Sequence, residues 1–241
     1  MNIKDKYLFL TRALRDISIV IFPTFCVACN HFLSSEEQLI CTKCRHQLPI
    51  LSYHKNIYLA EGQIIKNPQI INHTFVLFRY EKDSKIQHLI HHLKYKNSKK
   101  LGQNLAFWHL KLLSKMQFID KIDLIVPVPM HHKKQRKRGY NQVFYYAETL
   151  AQGLNAKYLP EVLLKVRETK TQSKQTREER YKNILNSIEL NPKIFVDNKH
   201  ILIVDDVITT GATMQACISS LLKASGVKIS VAAIAITLFD S

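Results

Sequence analysis

The segment with the clearest chemical content is a pair of adjacent carboxylates followed by a turn rich in threonine. Asp205 and Asp206 follow the apolar run at residues 201–204, and residues 209–213 read Thr-Thr-Gly-Ala-Thr. Backbone N–H groups and hydroxyls at the start of a helix bind phosphate readily, and Gly211 allows a close backbone approach. The carboxylates can then accept hydrogen bonds from the vicinal hydroxyls of an attached sugar. A Walker-type loop is excluded, because no Gly-Lys-Ser/Thr sequence follows.

The cysteines form a second constellation near the N-terminus. Four of the five lie in two Cys-x2-Cys pairs separated by eleven residues, namely Cys26 with Cys29 and Cys41 with Cys44. Two such pairs place four thiolates around one Zn²⁺, and a segment of this kind often depends on its metal for folding. Two disulfides are the alternative, but nothing in the sequence indicates an oxidising compartment. His31 and His46 are close enough in sequence to replace a cysteine.

Basic residues are concentrated in the middle of the chain. Residues 79–140 contain 15 Lys and Arg against 4 Asp and Glu, with tyrosines nearby. Lysine and arginine neutralise phosphates and exposed aromatic rings stack on unpaired bases, which favours single-stranded DNA as a partner. The alternatives are a solvated surface or residues that bind a pyrophosphate. The candidate DNA-binding residues are Lys94, Lys133, Lys134, Arg136, Lys137, Arg138 and Tyr140.

Composition sets the broad class. The chain has 241 residues, 46% of them hydrophobic and 22% charged, as in a globular protein with one large domain and a small appendage. Its formal net charge of +16 indicates an anionic partner. Charges at Arg12, Arg15 and Asp16 interrupt the apolar N-terminal stretch, which predicts an amphipathic helix, no integral membrane span and no signal peptide. We therefore expect a cytoplasmic protein.

Short apolar strands and helical patterns alternate after the cysteine-rich segment, which predicts a parallel sheet built from βαβ units. The predicted strands are residues 75–80, 122–126, 162–166, 201–204 and 227–237. The predicted helices contain residues 86–93, 101–112, 141–153 and 212–224. Residues 45–72 are expected to be irregular, and residues 167–182 to form a long polar loop. Ligands of such sheets bind beyond the carboxyl ends of the strands, where the polar motifs fall.

Residues 204–213 resemble the phosphoribosyl pyrophosphate (PRPP) motif of type I phosphoribosyltransferases. With the cysteine pairs and residues 123–129, 138–142 and 167–172 in this order, essentially the whole chain resembles the ComF family of competence proteins. The resemblance implies an α/β fold: a type I phosphoribosyltransferase-like parallel sheet flanked by helices, with a small N-terminal four-cysteine zinc-binding segment. The expected division is an N-terminal helix and zinc-binding segment at 1–53 and a phosphoribosyltransferase-like domain at 54–241.

The same resemblance implies roles for individual residues. Asp205 and Asp206 would bind the ribose hydroxyls, and Mg²⁺ would bridge oxygens of the ligand. The 5′-phosphate would lie on Thr209, Thr210, Gly211, Ala212 and Thr213. The pyrophosphate loop would consist of Val128, Pro129, Met130 and His131. Members that act on 6-oxopurines carry an Asp where this chain has Thr209, which argues against hypoxanthine or guanine as acceptor.

ComF proteins are implicated in natural transformation, where they handle incoming single-stranded DNA with a helicase-like partner. The resemblance thus implies a competence-associated protein that binds single-stranded DNA and PRPP, works with a helicase-like ATPase and associates with the inner face of the membrane through partners. The alternative is an active phosphoribosyltransferase that acts on an unidentified base or amine in nucleotide metabolism. The sequence assigns no catalytic residue, so turnover is left open.

Overall fold

The centre of the fold is a five-stranded sheet in which all neighbouring strands are parallel. The computed structural model describes residues 23–51, 70–96, 98–115, 120–131, 135–136, 139–167 and 183–238. The strand order is β1–β7–β6–β2–β3. These strands are β1 (Ile71–Arg79), β2 (Leu124–Pro127), β3 (Lys157–Tyr158), β6 (His200–Ile208) and β7 (Lys228–Ile236). A separate antiparallel pair consists of β4 (Leu163–Lys165) and β5 (Ile188–Leu190).

Helices cover both faces of the sheet, which is why its central strands are apolar on both sides. They are α1 (Thr42–Gln47), α2 (Lys85–Tyr95), α3 (Lys99–Leu113), α4 (Phe144–Gly153) and α5 (Ala212–Leu221). Leu202 and Val204 of β6 pack with α2, α3 and α4, whereas Ile201 and Ile203 pack with α5. Neighbouring residues of one strand point to opposite faces, so β6 joins two cores.

Local sequence explains where the helices begin and how closely they pack. Ser84 caps α2 by accepting a hydrogen bond from the Gln87 amide, and Ser98 caps α3 through the Leu101 amide. Gly102 allows α3 to approach α4, because a Cβ atom there would lie 3.1 Å from the Cβ atom of Tyr145. The spacing of apolar residues predicted both helices correctly.

The cysteine-rich segment packs directly against the sheet and α2. Its buried residues belong to the same core as β1, α2, α3 and α4. Main-chain hydrogen bonds join Leu51 to Leu77 and Arg79 to Pro49. The side chain of His88 in α2 bonds to the carbonyl oxygen of Ala28, with a separation of 3.0 Å. The boundary expected near residue 53 is thus crossed by a continuous apolar core.

The structure departs from the sequence-based expectation at several elements. The predicted strand at 162–166 exists as β4, but it pairs with β5 outside the main sheet. The strands β3 and β5 were not predicted, because two or three residues are too few to show a period. The stretch 45–72 is not wholly irregular, since α1 ends at residue 47 and β1 begins at residue 71. The predicted N-terminal helix, and residues 168–182 of the loop predicted at 167–182, lie outside the described residues.

No helix in the described part of the chain combines the length and apolar character needed to cross a membrane.

Candidate functional site

The acidic pair lies on the central strand β6, close to its carboxyl end. Asp206 points to the face that carries α2 and is buried, whereas Asp205 points to the opposite face and is half-buried. The Asp205 carboxylate raises the pKa of the Cys217 thiol in α5, although burial of that thiol is the larger cause. The two carboxylates are therefore adjacent in sequence but lie on opposite faces of the sheet, next to different helices.

Lys94 of α2 forms an ion pair with Asp206. Its Nζ atom lies 3.0 Å from Oδ2, and the two side chains are 27% and 7% exposed. This contact lacks hydrogen-bond geometry, so the buried Oδ2 atom keeps an unused acceptor position. The other oxygen, Oδ1, accepts a hydrogen bond from the Val207 amide. Oδ2 therefore keeps acceptor capacity, which a ligand hydroxyl could reach only after a neighbouring side chain moves.

Asp205 is held in a setting that favours its protonated form. Burial and the neighbouring Asp206 charge raise the pKa of Asp205 well above its usual value. The Asp206 amide, which donates to Asp205 Oδ1, and the Lys94 ammonium both lower it. Hydroxyl donors or a cation at this edge would favour the charged form further.

The turn after β6 has the geometry of an anion site at a helix N-terminus. Thr209 and Thr210 are exposed, and Gly211 adopts a left-handed conformation with φ of 70° directly before α5. The first main-chain bond of α5 runs from the Gln215 amide to the Gly211 carbonyl oxygen, so the amides before it have no partner within the helix. Within the described residues, no side chain caps α5. Ala212 and Thr213 form its first turn.

The predicted pyrophosphate loop lies beside the acidic strand. The strands β2 and β6 pair in register, with Pro127 opposite Val204. Beyond the strand end, the Val128 amide donates to the Val204 carbonyl oxygen at 2.8 Å. Val128, Pro129 and Met130 are half-buried and His131 is buried. The sheet therefore brings this loop and the acidic pair to one edge, as the sequence predicted.

The predicted DNA-binding residues do not all share one environment. Lys94 pairs with Asp206, and Tyr140 donates a hydrogen bond from its hydroxyl to the Leu93 carbonyl oxygen at 2.7 Å. Arg136 is exposed. The other four lie outside the described residues, and their role stays a prediction: Lys133, Lys134, Lys137 and Arg138.

The four cysteines of the paired motifs meet at one point. Their sulfur atoms all lie within 4.8 Å of one another, and Cys29 Sγ is 3.7 Å from Cys41 Sγ. Four sulfurs at ~2.3 Å from one Zn²⁺ are ~3.8 Å apart in a tetrahedron. All five cysteines of the chain are described and none forms a disulfide. His31 bonds to the Cys29 carbonyl oxygen and His46 is exposed, and neither belongs to the cluster.

Hydrogen bonds and crowding at the sulfurs fit a bound cation. Burial opposes ionisation of Cys26, but main-chain amides outweigh it and lower the pKa of this thiol to about 7. Burial, together with the other sulfurs, raises the pKa of Cys44. Four thiols packed this closely therefore cannot all ionise unless a cation compensates their charge. The donor set is that of a closed structural Zn²⁺ site.

An aromatic cleft beside the predicted pyrophosphate loop was missed by the sequence reasoning. It measures about 610 Å³ and lies between the end of β2, the start of α4 and the strands β3 and β4. Its walls include the rings of Tyr140, Phe144, Tyr145 and Tyr158. The sequence shows the first three close together, but the contribution of Tyr158 depends on the pairing of β2 with the unpredicted β3.

Comparison with known proteins first defines the class. Residues 144–240 match the family described as the phosphoribosyl transferase domain. This matched range contains the acidic pair and the turn before α5. Structures of adenine phosphoribosyltransferases are similar to part of this chain, with TM-scores below 0.4. One has a TM-score of 0.39 and 18% identity over 58% of this chain and 72% of that one. The enzyme from Saccharomyces cerevisiae has a TM-score of 0.38 and 18% identity over 58% and 70%. The domain match and the parallel sheet define a phosphoribosyltransferase-like protein.

Two curated relatives cover most of the chain. Competence protein F of Haemophilus influenzae is 27% identical over 214 residues, which is 84% of this chain and 92% of that protein. The DNA utilization protein YhgH of Escherichia coli K12 is 26% identical over 204 residues, which is 82% and 84%. These matches and the domain match support a ComF-family protein with a phosphoribosyltransferase-like domain.

Proposed function

We propose that this protein is a competence-associated factor that binds PRPP, or a related phosphoribosyl ligand, together with single-stranded DNA during DNA uptake. The observation that carries the ligand part is the acidic pair near the end of β6, followed within a few residues by the uncapped N-terminus of α5. Carboxylates suit the ribose hydroxyls, and helix amides suit the 5′-phosphate. The names of the two relatives support a role in competence and in DNA use.

Ligand binding would change the partners of the acidic pair. Ribose hydroxyls would donate to Asp205 and Asp206, and the Thr209, Thr210 and Thr213 hydroxyls would join the amides around the 5′-phosphate. The loop at residues 128–131 would face the pyrophosphate. Mg²⁺ prefers oxygen donors and would arrive with the ligand, neutralising phosphate charge. Zn²⁺ at the four cysteines would hold the N-terminal segment together and take no part in ligand chemistry.

The DNA part depends on charge and on the family resemblance. A net charge of +16, concentrated at residues 79–140, attracts a polyanion at ordinary ionic strength. A helicase-like ATPase as partner, and contact with the membrane from its cytoplasmic side through such partners, complete the proposal.

The second candidate is an active phosphoribosyltransferase in nucleotide metabolism. The retained acidic pair and helix N-terminus favour it, because catalysis of this transfer depends mainly on stabilising charge at the sugar and the departing pyrophosphate. Exposed Thr209 is a poor acid or base, which makes 6-oxopurines unsuitable acceptors. Release of pyrophosphate from PRPP on addition of other bases or amines would favour this candidate.

The DNA part is tested by neutralising the basic run next to the pyrophosphate loop. The variant replaces Lys133, Lys134, Arg136 and Lys137 with Ala. Each lost phosphate contact lowers the slope of log affinity against log salt by about 0.7 for single strands. We expect affinity for a short oligonucleotide to fall and the slope to decrease by up to ~3. The change should be nearly independent of base sequence.

A matched control loses the same charge elsewhere. It replaces four exposed lysines outside residues 79–140 with Ala: Lys43, Lys193, Lys199 and Lys223. This control should keep most of the salt dependence. Equal slopes for the wild type and the basic-run variant would contradict DNA binding at this run.

A further inference from the structure

The aromatic cleft beside the pyrophosphate loop has the size and lining of a ligand site. Its volume of about 610 Å³ lies within the range of ~300–1,000 Å³ that small-ligand pockets occupy. Tyr140, Phe144, Tyr145 and Tyr158 are all half-buried, so their rings are reachable from solvent. A cluster of four partly exposed aromatic rings is unusual on a surface that binds only water and ions.

The rings are held in place and leave stacking faces available. Phe144 contacts Tyr145 and Tyr158 at centroid distances of 5.0 Å and 5.6 Å, with interplanar angles of 81° and 82°. Both contacts are edge-to-face, and each of them covers one face of one ring. Together they therefore cover at most two of the six faces of these three rings. The hydroxyl of Tyr140 is fixed on the Leu93 carbonyl oxygen. A flat heterocycle would therefore meet rings that are already ordered.

The charges around the cleft favour a base inside and phosphates outside. Its lining includes one acidic residue, Glu161, and one basic residue, Lys165. Gln135 also lines it and lies within the basic run at residues 133–138. At another side, the Lys99 ammonium lies 5.7 Å from the centre of the Tyr145 ring. The interior is thus nearly neutral and aromatic, whereas the sequence that borders it is cationic.

The strand order separates this cleft from the acidic pair. In the sheet, β2 lies between β6, which carries Asp205 and Asp206, and β3, which carries Tyr158. No residue of the turn at 205–213 is among those that line the cleft.

The hydroxyl of Tyr158 is available as a hydrogen-bond donor in the cleft. Burial, with the charges of Glu148 and Glu161, raises the pKa of Tyr158, so this hydroxyl stays protonated at neutral pH.

We propose that this cleft binds an unpaired nucleobase of single-stranded DNA by stacking, while the neighbouring basic residues hold the flanking phosphates. The inference depends on the DNA part of the proposed function and adds to it a base site distinct from the phosphoribosyl site. Base–aromatic stacking tolerates every base, which suits a protein that must handle DNA of any sequence.

The test removes the aromatic ring from the protein and, in a separate measurement, the bases from the oligonucleotide. Tyr145→Ala should weaken binding of a labelled oligothymidylate by about 5- to 160-fold, the range expected for one stacked base. Its salt slope should equal that of the wild type, since no phosphate contact is lost. Tyr145→Phe should bind like the wild type because stacking does not need the hydroxyl. The control Tyr95→Ala removes a 60% exposed tyrosine outside the cleft and should have little effect.

An abasic oligonucleotide of equal length checks the result without any change to the protein. We expect the wild type to bind it as weakly as Tyr145→Ala binds the oligothymidylate, and Tyr145→Ala to lose nothing further. Ultraviolet cross-linking of an oligonucleotide that carries 5-iodouracil should label the peptides that contain Phe144, Tyr145 or Tyr158.

Three results would overturn the inference. One is that Tyr145→Ala and Tyr95→Ala weaken oligothymidylate binding equally. Another is that Tyr145→Ala weakens binding of the abasic oligonucleotide as much as it weakens binding of the oligothymidylate. The third is a change of oligomeric state in Tyr145→Ala with unchanged DNA binding, which would mean that the cleft contacts a second copy of the chain. In each case the wild type still binds DNA. A wild type that binds neither oligonucleotide would instead refute the DNA part of the proposed function.

Discussion

The four-cysteine cluster and the acidic edge of the sheet both bury groups that can carry negative charge, but they differ in what completes them. In the cluster, each sulfur faces the other three, and two of them also accept hydrogen bonds from main-chain amides. At the sheet edge, Asp206 has one ammonium partner and an unused acceptor position on the same oxygen. The cluster is closed around one point, whereas the edge continues into a turn whose threonines, Thr209 and Thr210, are exposed.

This difference is the one expected between a structural metal site and the proposed ligand site. A closed set of four soft donors leaves a cation no free coordination position, as in structural zinc sites. An edge with loosely paired carboxylates and uncapped helix amides has donors and acceptors to offer an incoming molecule. Burial alone would not distinguish the two, because Cys44 and Asp206 are both nearly inaccessible.

The largest effect is expected at the cluster. Freshly purified, reduced protein should contain about one Zn²⁺ per chain, and Cys44→Ser or strong chelation should unfold the segment at residues 23–51. Structural zinc sites contribute on the order of 10 kcal/mol to folding. Because this segment shares its core with β1 and α2, the melting temperature of the whole protein should fall as well. Elemental analysis and thermal denaturation measure both.

Absence of zinc from such a preparation would contradict the metal site. An unchanged melting temperature after complete chelation would show instead that the segment is stable without metal.

A smaller effect is expected when the ion pair between Lys94 and Asp206 at the acidic edge of the sheet is broken. Lys94→Met leaves Asp206 buried and unpaired and should lower the free energy of unfolding by about 1–3 kcal/mol. Adding Asp206→Asn should restore most of the stability. Denaturant unfolding of the single and double variants measures this.

The matched control for this change is Lys96→Met. It removes the same charge from an exposed position two residues away and should alter stability little. If both variants lose the same stability, the pair contributes nothing beyond general charge.

A third effect comes from a buried pair that belongs to neither region. His109 is fully buried, and burial lowers its pKa to about 3, while burial raises that of Tyr146. The neutral ring therefore accepts a hydrogen bond from the Tyr146 hydroxyl. Since the unfolded chain binds the proton more readily, stability should fall by ~2 kcal/mol between about pH 7 and about pH 5. His109→Leu with Tyr146→Phe should remove that part of the pH dependence.

Unfolding curves of the two proteins across this range check the sign. Parallel pH dependence would mean that His109 binds its proton as readily in the folded protein as in the unfolded chain.

Much of the site was predictable because its chemistry lies in short, continuous segments. Residues 201–213 contain a strand, two carboxylates and a helix start in sequence, so their order alone predicts an anion site. The two cysteine pairs likewise carry their spacing in the sequence. The parallel sheet followed from alternating apolar runs, and β1, β2, β6 and β7 were all predicted.

What could not be predicted depends on contacts between distant residues. Lys94 was assigned to DNA by its basic neighbours, but the packing of α2 on the sheet brings it to Asp206, 112 positions along the chain. The aromatic cleft needs Tyr158 from β3, a strand of two residues that has no period of its own. Short strands and long-range ion pairs leave little signal in a single sequence.

The most direct measurement compares Mg²⁺–PRPP binding and single-stranded DNA binding in the wild type and in the Asp205→Asn/Asp206→Asn variant. Hydrogen bonds to charged groups contribute about 1.5–3 kcal/mol each, so losing two should weaken PRPP binding at least 100-fold or so. DNA affinity should stay close to that of the wild type, because carboxylates do not attract phosphates. Asp120→Asn, an exposed acidic residue away from the site, is the matched control and should change neither affinity. Unchanged PRPP affinity in the folded double variant would contradict a phosphoribosyl site at the acidic pair, and an equal loss of both affinities would show that ligand and DNA share one site.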